Sequence, residues 1–426
     1  MMLGKMDVHL DLVQRYGSIV HVKDNMVLVQ NPNLKKHYMT YKFAKHPIYK
    51  LLDISGPNLF SSTDKDFHAS RKKLIAPAFS IKSLSKMEST IYRAGSDSLI
   101  KYLHSQLDKN ESKEIDFYPL FNSNTMDIIT ELIFGESLNT TWDKSKSQYY
   151  SQLTTTSGYN IFLKAVLPFY KPLNSPIETF KPRILENIKI RRESTNVHYD
   201  ILQSLIDAED PETGGKLSDL EIFSECIVLL FAGIETTSTT LTWTLYEILK
   251  HPEVYKLVAD EVLEKFSDLN NPVSISEAKT ELKYLEAAIL ESMRINPVVT
   301  GALLRVVPEG GITVEGCYLP ENTTMSMDSF AQHMDPALWK SPETYDISRW
   351  LGSDREKNKS LLFTWGFGPT SCVGRELAWA EIFLVLVNLL RNFNFELVDK
   401  TLTHYLTFMN KPKEKRFRVR ISRRVR

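Results

Sequence analysis

Cysteine, net charge and long apolar runs are all scarce in this 426-residue chain. Its three cysteines, Cys226, Cys317 and Cys372, are odd in number and far apart, which argues against a disulfide framework and for a reducing compartment. Lysine and arginine total 52, and so do aspartate and glutamate. The overall charge therefore gives no reason to expect a nucleic-acid or acidic partner.

No apolar run reaches the roughly 18 residues that a membrane-spanning helix needs. The longest run, Cys226 to Ile234, lies in the middle of the chain. The sequence also shows no signal-peptide pattern, no internal repeat and no low-complexity tract. A hydrophobic content of 42% with 24% charged residues is what we expect of a soluble globular enzyme.

A cysteine in a glycine-rich loop stands out near the C-terminal end, in the stretch Trp365-Gly366-Phe367-Gly368-Pro369-Thr370-Ser371-Cys372-Val373-Gly374. A thiolate is a soft ligand that suits iron, and glycine lets a backbone approach a flat ligand closely. The pattern from Arg375 onwards predicts a helix, whose N-terminal dipole favours an ionised thiol. A lone cysteine between glycines is more often a structural residue in a turn, so the loop by itself leaves both interpretations open.

A capping box at Ser218 and Glu221 predicts a helix that runs to about Leu249. At 1.5 Å per residue, these roughly 31 residues span about 46 Å. Its apolar middle, residues 227–234, is expected to be buried on all sides. The segment Ala232-Gly233-Ile234-Glu235-Thr236-Thr237 contains poor helix formers, which are often functional where they are buried. Alternatively, the threonines bond to carbonyls one turn earlier and only bend the helix.

Two pairs of residues have helical spacing and would ordinarily be surface pairs. His68 and Lys72 are four residues apart on one predicted helix face. Glu291 and Arg294 are three apart, a spacing typical of exposed pairs worth a few tenths of a kcal/mol. Neither pair indicates a function alone, and their order along the chain is what makes them informative.

Taken in order, these segments resemble the cytochrome P450 family. Residues 232–237 fit completely the family's oxygen-activation motif of small residue, Gly, any residue, acid, Thr, then Thr or Ser. The family's cysteine loop is matched at Gly368, Cys372, Gly374 and Ala378. Trp365 stands where Phe is usual, and Thr370 stands where the family has an Arg that pairs with a haem propionate.

The resemblance implies haem b with the thiolate of Cys372 as axial ligand. It places His68, Lys72 and Arg305 beside the haem propionates. The other implied cofactor-binding residues are Trp365, Gly368, Thr370, Gly374 and Ala232. A structural network on the thiolate side would join Glu291, Arg294 and Arg349.

The resemblance also assigns catalytic and substrate residues. Thr236, with Glu235 behind it, would deliver protons to bound oxygen. An apolar substrate pocket would be formed by Phe60, Phe231, Val298, Val299 and Ala302.

The expected fold is mainly α with a small β region, as in cytochrome P450, in one domain over residues 1–426. A small N-terminal β region is predicted at about residues 7–60, with strands at 18–22 and 26–30. The long central helix is predicted at 218–250, and the haem-ligand loop with its following helix at 363–392.

The implied function is a monooxygenase that inserts one atom of O₂ into a small apolar molecule. Electrons would come from NADPH through NADPH-cytochrome P450 reductase, with cytochrome b5 as a second candidate donor. A reductase-independent isomerase or dehydratase and a non-catalytic haem-binding protein are the alternatives, and the pair Glu235-Thr236 favours the monooxygenase. Residues 305–311 favour a eukaryotic protein of fungal type.

Eukaryotic members normally carry a membrane anchor and a proline-rich hinge before the β region, and neither is evident here. We expect the cytoplasmic side of the endoplasmic reticulum if an anchor is missing from this chain, and the cytoplasm otherwise. The C-terminal residues 411–426 carry nine Lys or Arg against one Glu, which nucleic acid or lipid could bind. We favour a half-buried edge strand, because Phe417, Val419 and Ile421 alternate with arginines.

Overall fold

The computed structural model describes residues 8–32, 38–53, 56–108, 110–166, 176–300, 303–406 and 409–424. Helices make up most of it, as the sequence predicted. In chain order they are α1 Val8–Tyr16, α2 Lys65–Ile75, α3 Ile81–Tyr92, α4 Ser98–Gln106, α5 Phe117–Phe134, α6 Lys144–Val166, α7 Pro176–Glu193, α8 Ile201–Ile206, α9 Asp219–Lys250, α10 Pro252–Lys265, α11 Ile275–Glu281, α12 Lys283–Ile295, α13 Ser329–His333, α14 Arg355–Leu361 and α15 Arg375–Asn392.

The strands are short and gather into small sheets. They are β1 Ile19–Lys23, β2 Met26–Val29, β3 Ser112–Asp116, β4 Arg305–Val306, β5 Ile312–Val314, β6 Cys317–Leu319, β7 Thr324–Ser326, β8 Phe393–Leu397, β9 His404–Leu406, β10 Asn410–Pro412 and β11 Arg418–Arg423. The sheet orders are β1-β2-β7-β4, β3-β11-β8, β5-β6 and β9-β10. The predicted N-terminal hairpin is confirmed. Strand β7 pairs with β2 of this hairpin, and β4 pairs with β7. Arg305, in β4, therefore lies in the same sheet as the N-terminal strands.

Helix α9 is the central helix of the fold. It begins with the predicted capping box, in which Ser218 and Glu221 satisfy each other's backbone N–H groups. It packs most extensively against α5 and also against α7, α12 and α15. A Cβ added at Gly233 would lie 3.3 Å from Ile129 of α5, so this glycine allows close packing of the two helices.

The prediction of an edge strand at the C-terminus is wrong. Strand β11 is the middle strand of its sheet, with β3 on one side and β8 on the other. Phe417, Val419 and Ile421 are completely buried. Arg420 pairs with a carboxylate on each neighbouring strand, at 2.7 and 2.9 Å, and these cross-strand pairs let a basic sequence occupy a central position. Much of the tail's charge is therefore neutralised within the fold.

Candidate active site

The loop that carries Cys372 has a backbone that only glycine accommodates easily. Gly366 and Gly368 have φ values of +66° and +61°. A Cβ on Gly368 would lie 2.6 Å from the carbonyl oxygen of Met39, so a side chain there would clash with backbone. The N–H of Cys372 donates to the carbonyl of Trp365 at 2.8 Å, which closes the loop. Helix α15 then begins directly behind the cysteine.

The Cys372 thiol faces a space that the protein encloses. Its side chain is accessible, yet burial raises the pKa of the Cys372 thiol, which means that protein surrounds it. The backbone N–H groups of Gly374 and Arg375 and the charge of Lys72 act in the opposite direction. A Cβ added at Gly374 would meet no atom within 4 Å, so there is open space beside the thiol. The thiol therefore lies beside open space and has protein around its other sides.

Helix α9 lines a cavity along one face. Ala232 is exposed although it lies at the centre of the buried helix, and Val228, Phe231, Glu235 and Thr236 are partly exposed. These residues recur every three or four positions and so share one face. We call them the open stripe. The prediction that residues 227–234 are buried on all sides is therefore wrong for this face.

The open stripe and the Cys372 loop border the same region. Phe231 of the stripe and Val373, next to the cysteine, pack against the same hydrophobic cluster. Helices α9 and α15 are also in direct contact. The open space beside Cys372 and the open face of α9 therefore lie on elements that pack against each other.

Thr236 and Glu235 already have partners within the protein. The Thr236 hydroxyl donates to the carbonyl of Ala232 at 2.6 Å, as the helix-bending alternative predicts. Glu235 forms an ion pair of 2.7 Å with Lys411 of β10, and both side chains are partly exposed. Sequence reasoning missed Lys411, because it lies 176 residues from Glu235, in a C-terminal segment that contains no catalytic motif.

Two of the three predicted propionate-binding residues, Lys72 and Arg305, contact the Cys372 loop. Lys72 Nζ donates to the carbonyl of Pro369 at 2.6 Å and lies 3.3 Å from the Ser371 carbonyl. Arg305 Nη2 donates to the Thr370 hydroxyl at 3.1 Å. His68 is buried, and its Nδ1 lies 3.0 Å from the hydroxyl of Tyr41. Thr370 is therefore held by a cation at the position where the family usually has one.

Lys45, Lys72 and Arg305 form a partly buried basic cluster around His68. Burial lowers the pKa of His68, and the positive charges of Lys45, Lys72 and Arg305 act in the same direction. Together they bring it to about 3. Burial likewise lowers the pKa of Lys45 to about 7, assisted by Arg305 and Lys72. Sequence reasoning missed Lys45, which reaches the cluster through a β-bridge to Arg305.

The basic cluster fits an anion that binds from within the cavity. Arg305 Nε is buried and has no hydrogen-bond partner among the described residues. Buried cations are costly unless an opposite charge compensates them. Two carboxylates placed here, such as the propionates of a haem, would supply that charge. The residues present therefore fit the predicted cofactor.

Glu291 is the centre of a buried ion network. Its carboxylate accepts two bonds from Arg294, at 2.7 and 2.9 Å, and one from Arg349 Nε at 3.1 Å. The Trp350 indole donates to it at 2.9 Å, and the Asp346 N–H donates at 3.0 Å. Glu291 and Arg294 are completely buried, so the exposed surface pair that their spacing alone suggested is not what forms. Removing one partner of such a buried pair typically costs about 3–5 kcal/mol.

The predicted pocket residues differ in their surroundings. Phe231 lies on the open stripe, and Phe60 is 37% exposed on the loop before α2. Val298 is buried, and its carbonyl accepts the N–H of Asn410 at 2.8 Å. Val299 is partly buried, while Ala302 lies outside the described residues. The ring of Trp365, predicted to lie against the cofactor, is also partly buried and packs near Trp379, with ring centroids 6.3 Å apart.

Comparisons with known proteins identify the family of this chain. A family model described as Cytochrome P450 matches residues 4–419. Cytochrome P450 monooxygenase helB1 of Aspergillus fumigatus is 29% identical over 406 residues, which cover 92% of this chain and 70% of that protein. Cytochrome P450 monooxygenase ORF11 of Penicillium roqueforti is 31% identical over 416 residues, which cover 92% of this chain and 84% of that protein.

The fold is also found among solved structures. The crystal structure of the cytochrome P450DA heme domain superimposes with a TM-score of 0.82 at 20% identity, covering 97% of this chain and 92% of that one. Within the part of the chain that the structure describes, no helix is long and apolar enough to cross a bilayer. With one family model over nearly all of its length and similar fungal monooxygenases among its relatives, the chain belongs to the cytochrome P450 family of haem-thiolate monooxygenases.

Proposed function

We propose that this protein holds haem b through Cys372 and uses it to insert one atom of O₂ into a small apolar molecule. The observation that carries the proposal is the accessible thiol of Cys372 in a loop that the cations Lys72 and Arg305 contact. When bound, the haem would supply the activation of oxygen. The protein's own residues would hold the cofactor, shield the reaction from water and move protons.

Each part of the site has a separate task in this proposal. Cys372 would hold the haem iron through its thiolate, and Lys72 fixes the Cys372 loop through the carbonyls of Pro369 and Ser371. Arg305, Lys45 and the ring of His68 would face the propionates. Gly374 and Ala232 would leave room for the flat macrocycle from either side, because neither presents a bulky side chain.

Thr236 and Glu235 would form the proton path. A hydroxyl that donates to Ala232 can still accept a hydrogen bond from water or from a protonated oxygen, because it has two lone pairs. Glu235 is partly exposed, so solvent can exchange protons with its carboxylate. Lys411 holds that carboxylate at one edge of the open stripe.

The remaining parts of the proposal are the partners, the location and the domain organisation. The electron donor would be NADPH-cytochrome P450 reductase, with cytochrome b5 as a second donor. The site would be on the cytoplasmic side of the endoplasmic reticulum, or in the cytoplasm. Residues 1–426 would act as one domain, because α9 joins the N-terminal and C-terminal halves through its contacts.

Turnover with reductase and NADPH, compared with turnover of a hydroperoxide alone, tests this function. With a fungal reductase and NADPH, an apolar substrate found by its shift of the haem spin state should be hydroxylated. A hydroperoxide isomerase would instead act without reductase, and a haem carrier would give no product under either condition. Turnover of a hydroperoxide alone, or no turnover with any ligand that shifts the spin state, would reject the monooxygenase.

Removal of Arg305 should weaken haem retention. The charge-assisted hydrogen bonds that Arg305 would make to a propionate are worth about 1.5–3 kcal/mol, or roughly tenfold to a hundredfold in affinity. Arg305→Ala should therefore transfer haem to apomyoglobin at least about tenfold faster than the wild type. Thr370→Val is the matched control, since it removes only the hydroxyl that Arg305 contacts. Equal transfer rates for Arg305→Ala and the wild type would remove Arg305 from the cofactor site.

A further inference from the structure

A loop at the edge of the site is held from two sides. On one side, the N–H of Leu59 donates to the carboxylate of Glu225, 3.1 and 3.2 Å from its two oxygens. On the other side, Lys45 Nζ donates to the carbonyls of Leu59 at 3.1 Å and Phe60 at 2.7 Å. We call Glu225 and Lys45 the loop clamp. A carboxylate and an amine thus fix the same two residues of backbone.

The loop itself is a preformed unit. Asn58 is completely buried, and its side-chain oxygen accepts the N–H groups of Phe60 at 3.0 Å and Ser61 at 2.8 Å. The N–H of Ser62 donates to the Asn58 carbonyl at 3.0 Å. A loop with this many internal bonds moves as one piece. Whatever holds Leu59 therefore also sets the position of the Phe60 ring, which is 37% exposed.

The clamp lies at one end of the open stripe of α9. Glu225 precedes Val228 by three residues and Ala232 by seven, so it shares their helix face. Seven residues correspond to about 10.5 Å along the helix axis. On its other side, Lys45 is close enough to Arg305 and Lys72 for their charges to lower its pKa. The clamped loop therefore lies between the cavity lining and the basic cluster.

We propose that Glu225 is a positioning residue for substrate selection. By fixing Leu59 it fixes Phe60 at the edge of the cavity, and so limits the bulk of the apolar ligands that can enter. This inference rests on the proposed function, because the ligand must reach the cavity beside Cys372. It assigns a role to a buried acid that lies outside the proton path.

The pKa of Glu225 is raised to about 7, mainly by burial and to a smaller extent by the charge of Glu221. The bond from Leu59 and the charges of Lys45 and Arg71 act in the opposite direction, with Arg71 Nε 3.6 Å away. Its position in the fold therefore makes Glu225 sensitive to pH near neutrality.

The sign of this pH dependence follows from linkage. Opening the loop hydrates Glu225 and returns its pKa towards the ordinary value, so the closed loop binds the proton more tightly. Closure is therefore favoured at low pH and is weakened as the pH rises through about 7. Lys45 has a lowered pKa and acts in the opposite sense. Its contribution cancels when two proteins that both contain Lys45 are compared.

Hydrogen exchange of the loop tests the clamp directly. Glu225→Gln keeps an acceptor for Leu59 but cannot ionise. For holoprotein peptides covering residues 57–62, the ratio of wild-type to Glu225→Gln exchange rates should rise by up to about tenfold between pH 6 and pH 8. Glu221→Gln is the matched control, since Glu221 also pairs with Arg71 but bonds to Ser218, whereas Glu225 bonds to Leu59 of the loop.

A ratio that does not change with pH would overturn the proposal. So would a Glu221→Gln protein that reproduces the behaviour of Glu225→Gln, because the effect would then come from Arg71 and not from the loop. The wild type and each variant are compared at the same pH, so the intrinsic pH dependence of amide exchange cancels in the ratio.

Ligand entry provides the second measurement. Glu225→Ala removes the acceptor, so a bulky azole such as clotrimazole should reach the haem several times faster, while imidazole should bind at the wild-type rate. Unchanged rates for both azoles would reject the positioning role and leave the proposed function intact. Failure of both azoles to shift the haem spectrum of the wild type would reject the proposed function. If Glu225→Ala does not fold, the exchange test with Glu225→Gln decides.

Discussion

Cys372→Ser should abolish both the thiolate haem spectrum and all monooxygenase activity. A serine hydroxyl remains protonated near neutral pH and is a much harder ligand than a thiolate, so it does not replace the sulfur on iron. The purified variant should lack the band that reduced, carbon-monoxide-bound thiolate haem gives. Product formation with NADPH and reductase should fall to the level of a reaction without enzyme.

The other two cysteines provide matched controls. Cys317 is exposed on strand β6, and Cys317→Ser should keep the spectrum and the activity. Cys226 is buried in the hydrophobic core, and its burial strongly raises the pKa of its thiol, which opposes ligation as a thiolate. Cys226→Ala should therefore also retain the band. If Cys372→Ser keeps it, one of these two residues is the ligand and the Cys372 loop has been misinterpreted.

Elements with strong local signals were predictable from the sequence. The capping box at Ser218 defined the start of α9, because it depends on two residues that are three apart. The N-terminal hairpin was likewise predictable, because its two short strands at 18–22 and 26–30 are close together in the sequence. The central position of β11 was not predictable, since it depends on partners in β3 and β8 that alternation along a single strand does not identify.

The candidate site divides in the same way. The cysteine loop and residues 232–237 are contiguous motifs, so the sequence was sufficient to identify them. Lys45, Lys411 and Glu225 were missed, because each contributes through contacts with residues distant in the sequence and has no motif around it. The open stripe was missed because Ala232 and Phe231 are apolar, and hydrophobicity alone does not distinguish a residue that packs against protein from one that lines a cavity.

Thr236→Ala should separate electron use from product formation. The structure gives its hydroxyl a bond to the Ala232 carbonyl, which is also what a threonine with a purely structural role would make. Its place on the open stripe is what distinguishes it from the other threonines of α9, because it is partly exposed there and they are buried. A proton relay of this kind is typically worth about 10²–10⁴-fold. Haem content and substrate binding should stay near normal, while product per NADPH falls and peroxide per NADPH rises.

Thr240 is the matched control for this prediction. It lies one turn further along α9, donates to the Thr236 carbonyl at 2.8 Å, and is buried where Thr236 is partly exposed. If back-bonding threonines only shape the helix, Thr236→Ala and Thr240→Ala should have the same small effect on coupling. If Thr236 conveys protons, Thr240→Ala should couple like the wild type, and Thr236→Ser, which restores a hydroxyl, should recover much of the product yield. Equal coupling in both alanine variants would assign the proton path to another group, such as a substrate hydroxyl.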